Sequence, residues 1–177
     1  AVVCIKPTTF KNDEIVFKGS KFGGYSTYTG KDYQSAQFCN NAVDEMGYGE
    51  FSAPDLTKFL SGKNVSVSPV VDDYTENISG NCGVKDIETM FQLIYLKCTE
   101  PRKDAEAFGS FITRSKQQML QVKDNPENLF SDTLYNSLYQ NNPRAHRIPA
   151  VSDFDKINID NAIAFYKERL GNPKGMY

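Results

Sequence analysis

The residues best suited to chemistry in this chain of 177 residues are one histidine and four cysteines. The histidine is His146, in the basic stretch Arg144-Ala-His-Arg147. The cysteines are scattered along the chain at Cys4, Cys39, Cys82 and Cys98. None of them forms a C-x-x-C pair, and one histidine does not complete a usual Cys/His zinc set. We interpret them as buried free thiols, although an even number also permits disulfides whose pairing the sequence does not determine.

A cysteine–histidine nucleophile is the sharpest catalytic alternative. Cys39 or Cys82 paired with His146 would supply a thiolate and its base. Nothing in the sequence brings these residues together, so we interpret His146 as a loop histidine facing solvent or another domain. Unusually fast alkylation of a thiol would support the independent cysteine hydrolase that this alternative implies.

The remaining polar motifs favour structural roles. Gly47-Tyr-Gly49 and Ser61-Gly-Lys63 lack the glycine-rich nest of a phosphate loop and are interpreted as turns. Several acidic residues are candidates for a cation site, namely Asp72, Asp73, Asp153, Asp155 and Asp160. Because they lack the pattern of a calcium-binding loop, we interpret them as a solvated turn and as charges at helix starts.

Composition sets broad limits on function. The chain is 40% hydrophobic and 24% charged, as expected for one globular domain, and its net charge of −2 does not favour nucleic acid or an anionic membrane. It has neither an apolar run of about 18 residues nor a leader-like start. The first residue is Ala1 rather than methionine, so we expect a sequence excised from a longer one.

Periodicity predicts the elements that position these residues. A strand at Val2–Lys6 is expected to form a hairpin with a second at Glu14–Phe17, and two more are expected at Val65–Val71 and Tyr74–Ser79, before a turn at Gly80–Gly83. Helical spacing and capping residues predict helices over Asp32–Met46, from Ser52, over Asp86–Cys98, Asp104–Val122 and Leu129–Tyr139, and over Ile159–Leu170. This order predicts an α+β fold, with a mainly antiparallel sheet and helices packed on one face as a two-layer sandwich.

Several segments, in this order, carry a family resemblance over about nine-tenths of the chain. They include a V-x-x-K-P-like start, Gly23-Gly24, Met46-Gly-Tyr-Gly-Glu-Phe-Ser-Ala-Pro-Asp-Leu56 and Phe91-Gln-Leu-Ile-Tyr-Leu-Lys97 before Pro101-Arg-Lys-Asp104. The chain thereby resembles a lobe of the pitrilysin/insulinase-type zinc metallopeptidases, with their processing-peptidase-like fold, and in particular of the bacterial two-lobed zinc proteases.

The chain departs from that family at its metal site. Active lobes carry His-x-x-Glu-His on the first helix, where two histidines hold zinc, the glutamate is the general base, and a later helix supplies a third ligand. Here that helix offers Asp44 and Glu45, which are sequence neighbours and do not share a face, and the later helix carries only Glu106 close to its start. We therefore predict no catalytic, metal-binding or cofactor-binding residue in this chain, with zinc expected in the catalytic lobe of the parent.

The resemblance implies a single, truncated, non-catalytic lobe over residues 1–177. Its parent would be a zinc metalloendopeptidase, and the lobe would wall the substrate chamber and contact peptide or the catalytic lobe. Loop tyrosines, among them Tyr25, Tyr28 and Tyr48, are candidate peptide contacts. The alternative is a stand-alone binding or assembly module of the same fold. Bacterial relatives imply a periplasmic location.

The family also implies a strand after the last helix. Here the sequence after Leu170 is only Gly171-Asn-Pro-Lys-Gly-Met-Tyr177. We therefore expect an exposed sheet edge, or a sheet that another chain completes.

Overall fold

Three strands form an antiparallel sheet in the order β1-β3-β2. They are β1, Glu14–Phe22, β2, Val65–Val71, and β3, Thr75–Gly83. The computed structural model describes residues 3–29, 32–142, 144 and 148–177. The predicted α+β fold with an antiparallel sheet and packed helices is confirmed.

The helices follow the sequence-predicted order, and all except the last have changed ends. They are α1, Tyr33–Gln37, α2, Cys39–Met46, α3, Ala53–Phe59, α4, Ile87–Thr99, α5, Ala105–Lys123, α6, Pro126–Leu138, and α7, Ile159–Leu170. Short 3-10 turns cover Tyr25–Thr27, Val84–Asp86 and Val151–Lys156. Among the described residues, no helix combines the length and the apolar character that crossing a membrane requires.

The predicted N-terminal hairpin is wrong. Residues 3–6 form no strand, and Val2 lies outside the described residues. β1 pairs instead with β3, from Glu14 opposite Gly83 to Phe22 opposite Thr75. A nine-residue partner satisfies many more backbone groups of β1 than a five-residue one, and this long-range pairing overrides the local hairpin.

The turn predicted at Gly80–Gly83 is also wrong, because β3 continues through it. A Cβ atom at Gly80 would lie 3.2 Å from the carbonyl oxygen of Ser66 and 3.4 Å from the sulfur of Met90. The missing side chain at Gly80 therefore lets β2 and α4 pack closely against β3. In the sequence, a glycine with this packing role looks the same as a glycine in a turn.

The first predicted helix is broken in two at Phe38, which has φ −100° and ψ 9°. The predicted cap at Asp32 makes no bond to the helix; its Oδ1 accepts from Asn161 Nδ2 at 2.7 Å instead. Gly47 ends α2 as expected, with φ 91°.

Other local predictions are confirmed. Ser52 caps α3 by accepting from the backbone N–H of Asp55, with Pro54 in the first turn. β2 and α7 have the predicted bounds. The structure adds a cap that was not predicted, because Asn158 accepts from two backbone N–H groups at the start of α7.

The core lies between the sheet and the helices α2, α4 and α7. Its largest fully buried apolar side chains are Tyr166, Phe165, Met46, Met90 and Leu170. This core fixes the position of α2, the second half of the helix predicted over Asp32–Met46.

Candidate functional site

The end of α2 carries a polar cluster beside a small cleft. Tyr48 donates to Oδ1 of Asp44 at 2.6 Å, and its hydroxyl lies 3.4 Å from that of Tyr166. Lys97 of α4 places Nζ 3.8 Å from the same carboxylate and 5.1 Å from the centroid of the Tyr48 ring. The cleft measures about 250 Å³, and Asp44, Tyr48 and Lys97 are among its lining residues.

Burial controls the protonation of this cluster. It raises the pKa of Tyr48 and of Tyr166 far above the ordinary value for a phenol. Both hydroxyls therefore stay protonated at neutral pH, and Tyr48 acts as a hydrogen-bond donor that holds Asp44.

The two carboxylates of α2 point to different helices, as their adjacent positions predict. Asp44 faces Lys97 of α4, whereas Glu45 accepts from Arg114 of α5. Glu106 lies in the first turn of α5, where Asp104 provides the cap. Over the described ranges, no three His, Cys, Asp or Glu side chains lie close enough together to hold a metal ion.

The described thiols are poor nucleophiles where they are buried. Burial raises the pKa of Cys39 to about 12 and that of Cys98 to about 11, and it also raises the pKa of Cys82. Cys4 is exposed, and all four cysteines are free. This outcome agrees with buried thiols except at Cys4, and it argues against a stabilised thiolate at Cys39 or Cys82. His146 lies outside the described residues.

The candidate cation ligands do not converge. Asp153, Asp155 and Asp160 pair with three different lysines, Lys156, Lys116 and Lys103. Asp72 lies between β2 and β3, and its Oδ2 accepts from Nδ2 of Asn77 at 2.8 Å. These carboxylates act as separate surface and turn charges, as the sequence analysis interprets them.

The three candidate tyrosines lie in different settings. Tyr48 is only 2% exposed, so its ring is not available to a peptide. Tyr28 donates to Oε2 of Glu168 at 2.5 Å and packs on Phe165 at a centroid distance of 4.4 Å. The pKa of Tyr25 is raised mainly by burial and, to a smaller extent, by a hydrogen bond with Asp73.

The sequence analysis missed a buried charge network at the end of β1. Glu76 is fully buried, and its Oε1 accepts from the Gly24 backbone at 3.0 Å and from Nε of Arg169. Lys21 lies 3.2 Å from its Oε2. The period of two counted back from buried Ile78 places Glu76 on the core face, and this signal was present in the sequence.

An apolar groove between α3 and α4 was also missed. It measures about 720 Å³. Phe91 and Tyr95 of α4 line this groove and are 51% and 67% exposed. The other apolar lining residues are Phe51, Leu56, Phe59, Leu60, Leu93 and Leu96.

Together these features define an α+β lobe of processing-peptidase-like architecture. No protein-family model matches the chain. A curated relative, a probable zinc protease PqqL of Haemophilus influenzae, is 28% identical over 85 residues, which are 48% of this chain and 9% of the relative.

Solved structures extend the likeness over nearly the whole chain. The match to the periplasmic protease PqqL of Escherichia coli covers 95% of this chain and 18% of PqqL, at 17% identity and a TM-score of 0.74. A ferredoxin protease, FusC, was solved with Arabidopsis ferredoxin. The match covers 94% of this chain and 18% of FusC, at 15% identity and a TM-score of 0.72. The match to a peptidase M16 inactive domain of Pseudomonas fluorescens covers 87% of this chain and 38% of that chain, at 17% identity and a TM-score of 0.71.

These matches confirm the resemblance to the pitrilysin-type zinc proteases, and one of the matched structures is an inactive peptidase domain. The structural matches, all below 25% identity, establish the fold. The chain spans less than a fifth of the PqqL proteins that it matches.

Proposed function

We propose that this chain is a non-catalytic lobe of a zinc-dependent metalloendopeptidase. The parent protein hydrolyses peptide bonds, and this lobe walls the substrate chamber and contacts peptide or the catalytic lobe. The single observation that carries the proposal is the likeness to zinc proteases and to an inactive peptidase domain, in a chain whose matching helix contains no histidine.

The contacts of α2 support a structural use of that helix. A catalytic helix directs its ligands and its base toward one ion. Here Asp44 and Glu45 instead form ion pairs with Lys97 and Arg114, and so connect α2 to α4 and to α5. These pairs hold the helices of the lobe together rather than facing a common site.

Zinc, substrate and location follow from the same proposal. Zinc belongs to the catalytic lobe of the parent, with no ligand, catalytic residue or cofactor site in this chain. The substrate is a peptide or protein, as for the protease solved with ferredoxin, and the periplasm of E. coli PqqL supports a periplasmic parent.

The test is zinc content and peptidase activity, first of this chain and then of its mixture with a lobe of the same parent that carries His-x-x-Glu-His. The expected result is a chain without bound zinc or activity, and activity that appears on mixing. Stoichiometric, tightly bound zinc with peptidase activity in the isolated chain would overturn the proposal.

The second candidate is a binding or assembly module of the same fold without proteolysis. The apolar groove between α3 and α4 favours it, because concave apolar surfaces are common binding sites. Inactivity of the mixture, together with a parent reading frame that lacks His-x-x-Glu-His, would select this candidate.

A further inference from the structure

Helix α6 turns its polar face toward the lobe. Asn128, Asp132 and Asn136 follow one another at four-residue spacing, so they share a face, and all three are half-buried. Oδ1 of Asp132 accepts from the backbone N–H of Ile148 at 3.2 Å. A surface helix ordinarily buries its apolar face and exposes its polar one, so the exposure of α6 is inverted.

The opposite face of α6 is an exposed apolar stripe. Phe130, Leu134 and Leu138 also follow one another at four-residue spacing, and they are 69%, 49% and 68% exposed. A contiguous apolar patch of this kind indicates an interaction surface. The spacing is typical of the anchors with which an amphipathic helix enters an apolar groove. We refer to these three side chains as the α6 stripe.

The apolar groove between α3 and α4 matches the α6 stripe in length. On α4 its lining begins at Glu88 and ends at Leu96, eight residues later. The stripe likewise extends over eight residues, from Phe130 to Leu138. At about 1.5 Å per residue, each of these distances is about 12 Å. The groove is therefore long enough to receive all three anchors of the stripe.

Opposite charges lie at one end of the two surfaces. Nζ of Lys63 donates to Oγ1 of Thr89, which lines the start of the groove, at 3.0 Å. Glu127 is exposed in the first turn of α6 and lies three residues before Phe130, on the face of the stripe. When the start of α6 is placed at the start of α4, Glu127 therefore comes close to Lys63.

The other charges of the groove favour the same direction. Lys85 and Glu88 offset each other at the start of α4, so Lys63 leaves that end net positive. Glu100 follows the last residue of α4 and makes the other end acidic. The reverse direction would bring Glu127 toward Glu100, and like charges disfavour it.

We propose that the α6 stripe of one copy of this chain docks in the groove between α3 and α4 of a second copy, with the start of α6 at the start of α4. The contact covers two apolar surfaces that are both exposed in the single chain. It joins different surfaces of the two copies, so it is a heterologous contact and needs no two-fold axis. The association does not depend on the proposed peptidase function.

The interface is small. A contact through three anchors falls among interfaces below about 1,200 Å², which are typically weak, so we expect a dissociation constant on the order of 10 µM. Sedimentation of the 177-residue chain at concentrations on both sides of this value is expected to show reversible association.

Two variants that each lack one surface test which surfaces meet. Phe130→Glu/Leu138→Glu removes the stripe, and Phe59→Glu/Tyr95→Glu blocks the groove, all at side chains that are more than half exposed. Each variant alone is expected to stay monomeric, whereas their equimolar mixture is expected to form a one-to-one complex. Tyr74→Glu, at a site that is 71% exposed between β2 and β3, is the control and should associate like the wild type.

Charge reversal tests the direction of α6 and leaves both apolar surfaces intact. Glu127→Lys and Lys63→Glu each place like charges opposite one another and are expected to weaken the association about threefold, as for an exposed ion pair. The chain that carries both substitutions restores opposite charges and is expected to regain the wild-type affinity.

Three results would overturn the proposal. The first is a wild-type chain that stays monomeric, including the case in which either surface binds only another lobe of the parent. The second is association of the groove variant with itself, which would place α6 against α6. The third is a mixture of the two variants that forms no complex while the wild type associates.

Discussion

Nε of Arg169 donates to Oε1 of Glu76, so that α7 is joined to the central strand through a carboxylate with no solvent exposure. Lys21 from β1 lies 3.2 Å from the other oxygen. A buried carboxylate needs such partners, because an unpaired charge in the interior is strongly unfavourable.

Removal of one cation from this network is therefore expected to be costly. Arg169→Met should lower the free energy of unfolding by about 3 kcal/mol, because it leaves the buried carboxylate with one neighbouring cation, Lys21, and the Gly24 backbone N–H. Urea unfolding followed by circular dichroism measures the change. Lys167→Met, at an exposed site on the same helix, is the control, and equal unfolding midpoints for the two variants would contradict the expectation.

Gly23 is expected to tolerate no side chain. A Cβ atom there would lie 2.0 Å from a guanidinium nitrogen of Arg169 and 2.1 Å from Oε1 of Glu76. Gly23→Ala should therefore destabilise the chain by about 2–3 kcal/mol through overpacking. Gly62→Ala is the comparison, because that site has open space and only an unfavourable φ of 81°. If Gly23→Ala lowers the free energy of unfolding less than Gly62→Ala does, Arg169 and Glu76 move easily to admit the methyl group, and the prediction is wrong.

At Gly109, in contrast to Gly23, an added side chain is expected to stabilise the chain. This glycine lies inside α5, and a Cβ atom there would meet nothing within 4 Å. Gly109→Ala should stabilise the chain by about 0.5–1 kcal/mol because alanine has the higher helix propensity. Thermal unfolding measures the change, and a lowered Tm would contradict it.

Thiol labelling should separate Cys4 from the other cysteines. With a small alkylating agent at pH 8, the folded chain is expected to react rapidly at Cys4 alone, since the other thiols are buried and their pKa values are raised. In denaturant, all four should react at similar rates. Fast labelling of Cys39 or Cys82 in the folded state would revive the cysteine-nucleophile alternative.

Alkaline pH should destabilise the fold. The folded-state pKa of Cys39 is raised from 9.0 to about 12, and burial raises those of Tyr48 and Tyr166 above the unfolded value of 10.0. Above those unfolded values the unfolded state releases protons that the folded state retains, so stability is complete below pH 9 and falls as the pH rises toward 12. Urea midpoints between pH 7 and 11 measure the loss. Unchanged midpoints above pH 10 would contradict the burial of these groups.

Local signals in the sequence were sufficient for many elements. Ser52 and Pro54 predicted the start of α3, and α7 begins and ends at the predicted residues. Capping and helical spacing involve neighbours within one turn, so these features need no knowledge of distant contacts. The lack of histidine in the first helix pair is likewise a property of the sequence alone.

The pairing of β1 and the partners of Glu76 were decided only by the tertiary structure. β1 joins a strand about sixty residues later, and the carboxylate of Glu76 meets Arg169 more than ninety residues later. Which partner a strand takes, and which charges are neutralised in the core, depend on the free energy of the whole packed arrangement. The sequence by itself determined the local elements and the resemblance; long-range packing decided the pairing of β1 with β3, the burial of three thiols and the divergence of Asp44 from Glu45.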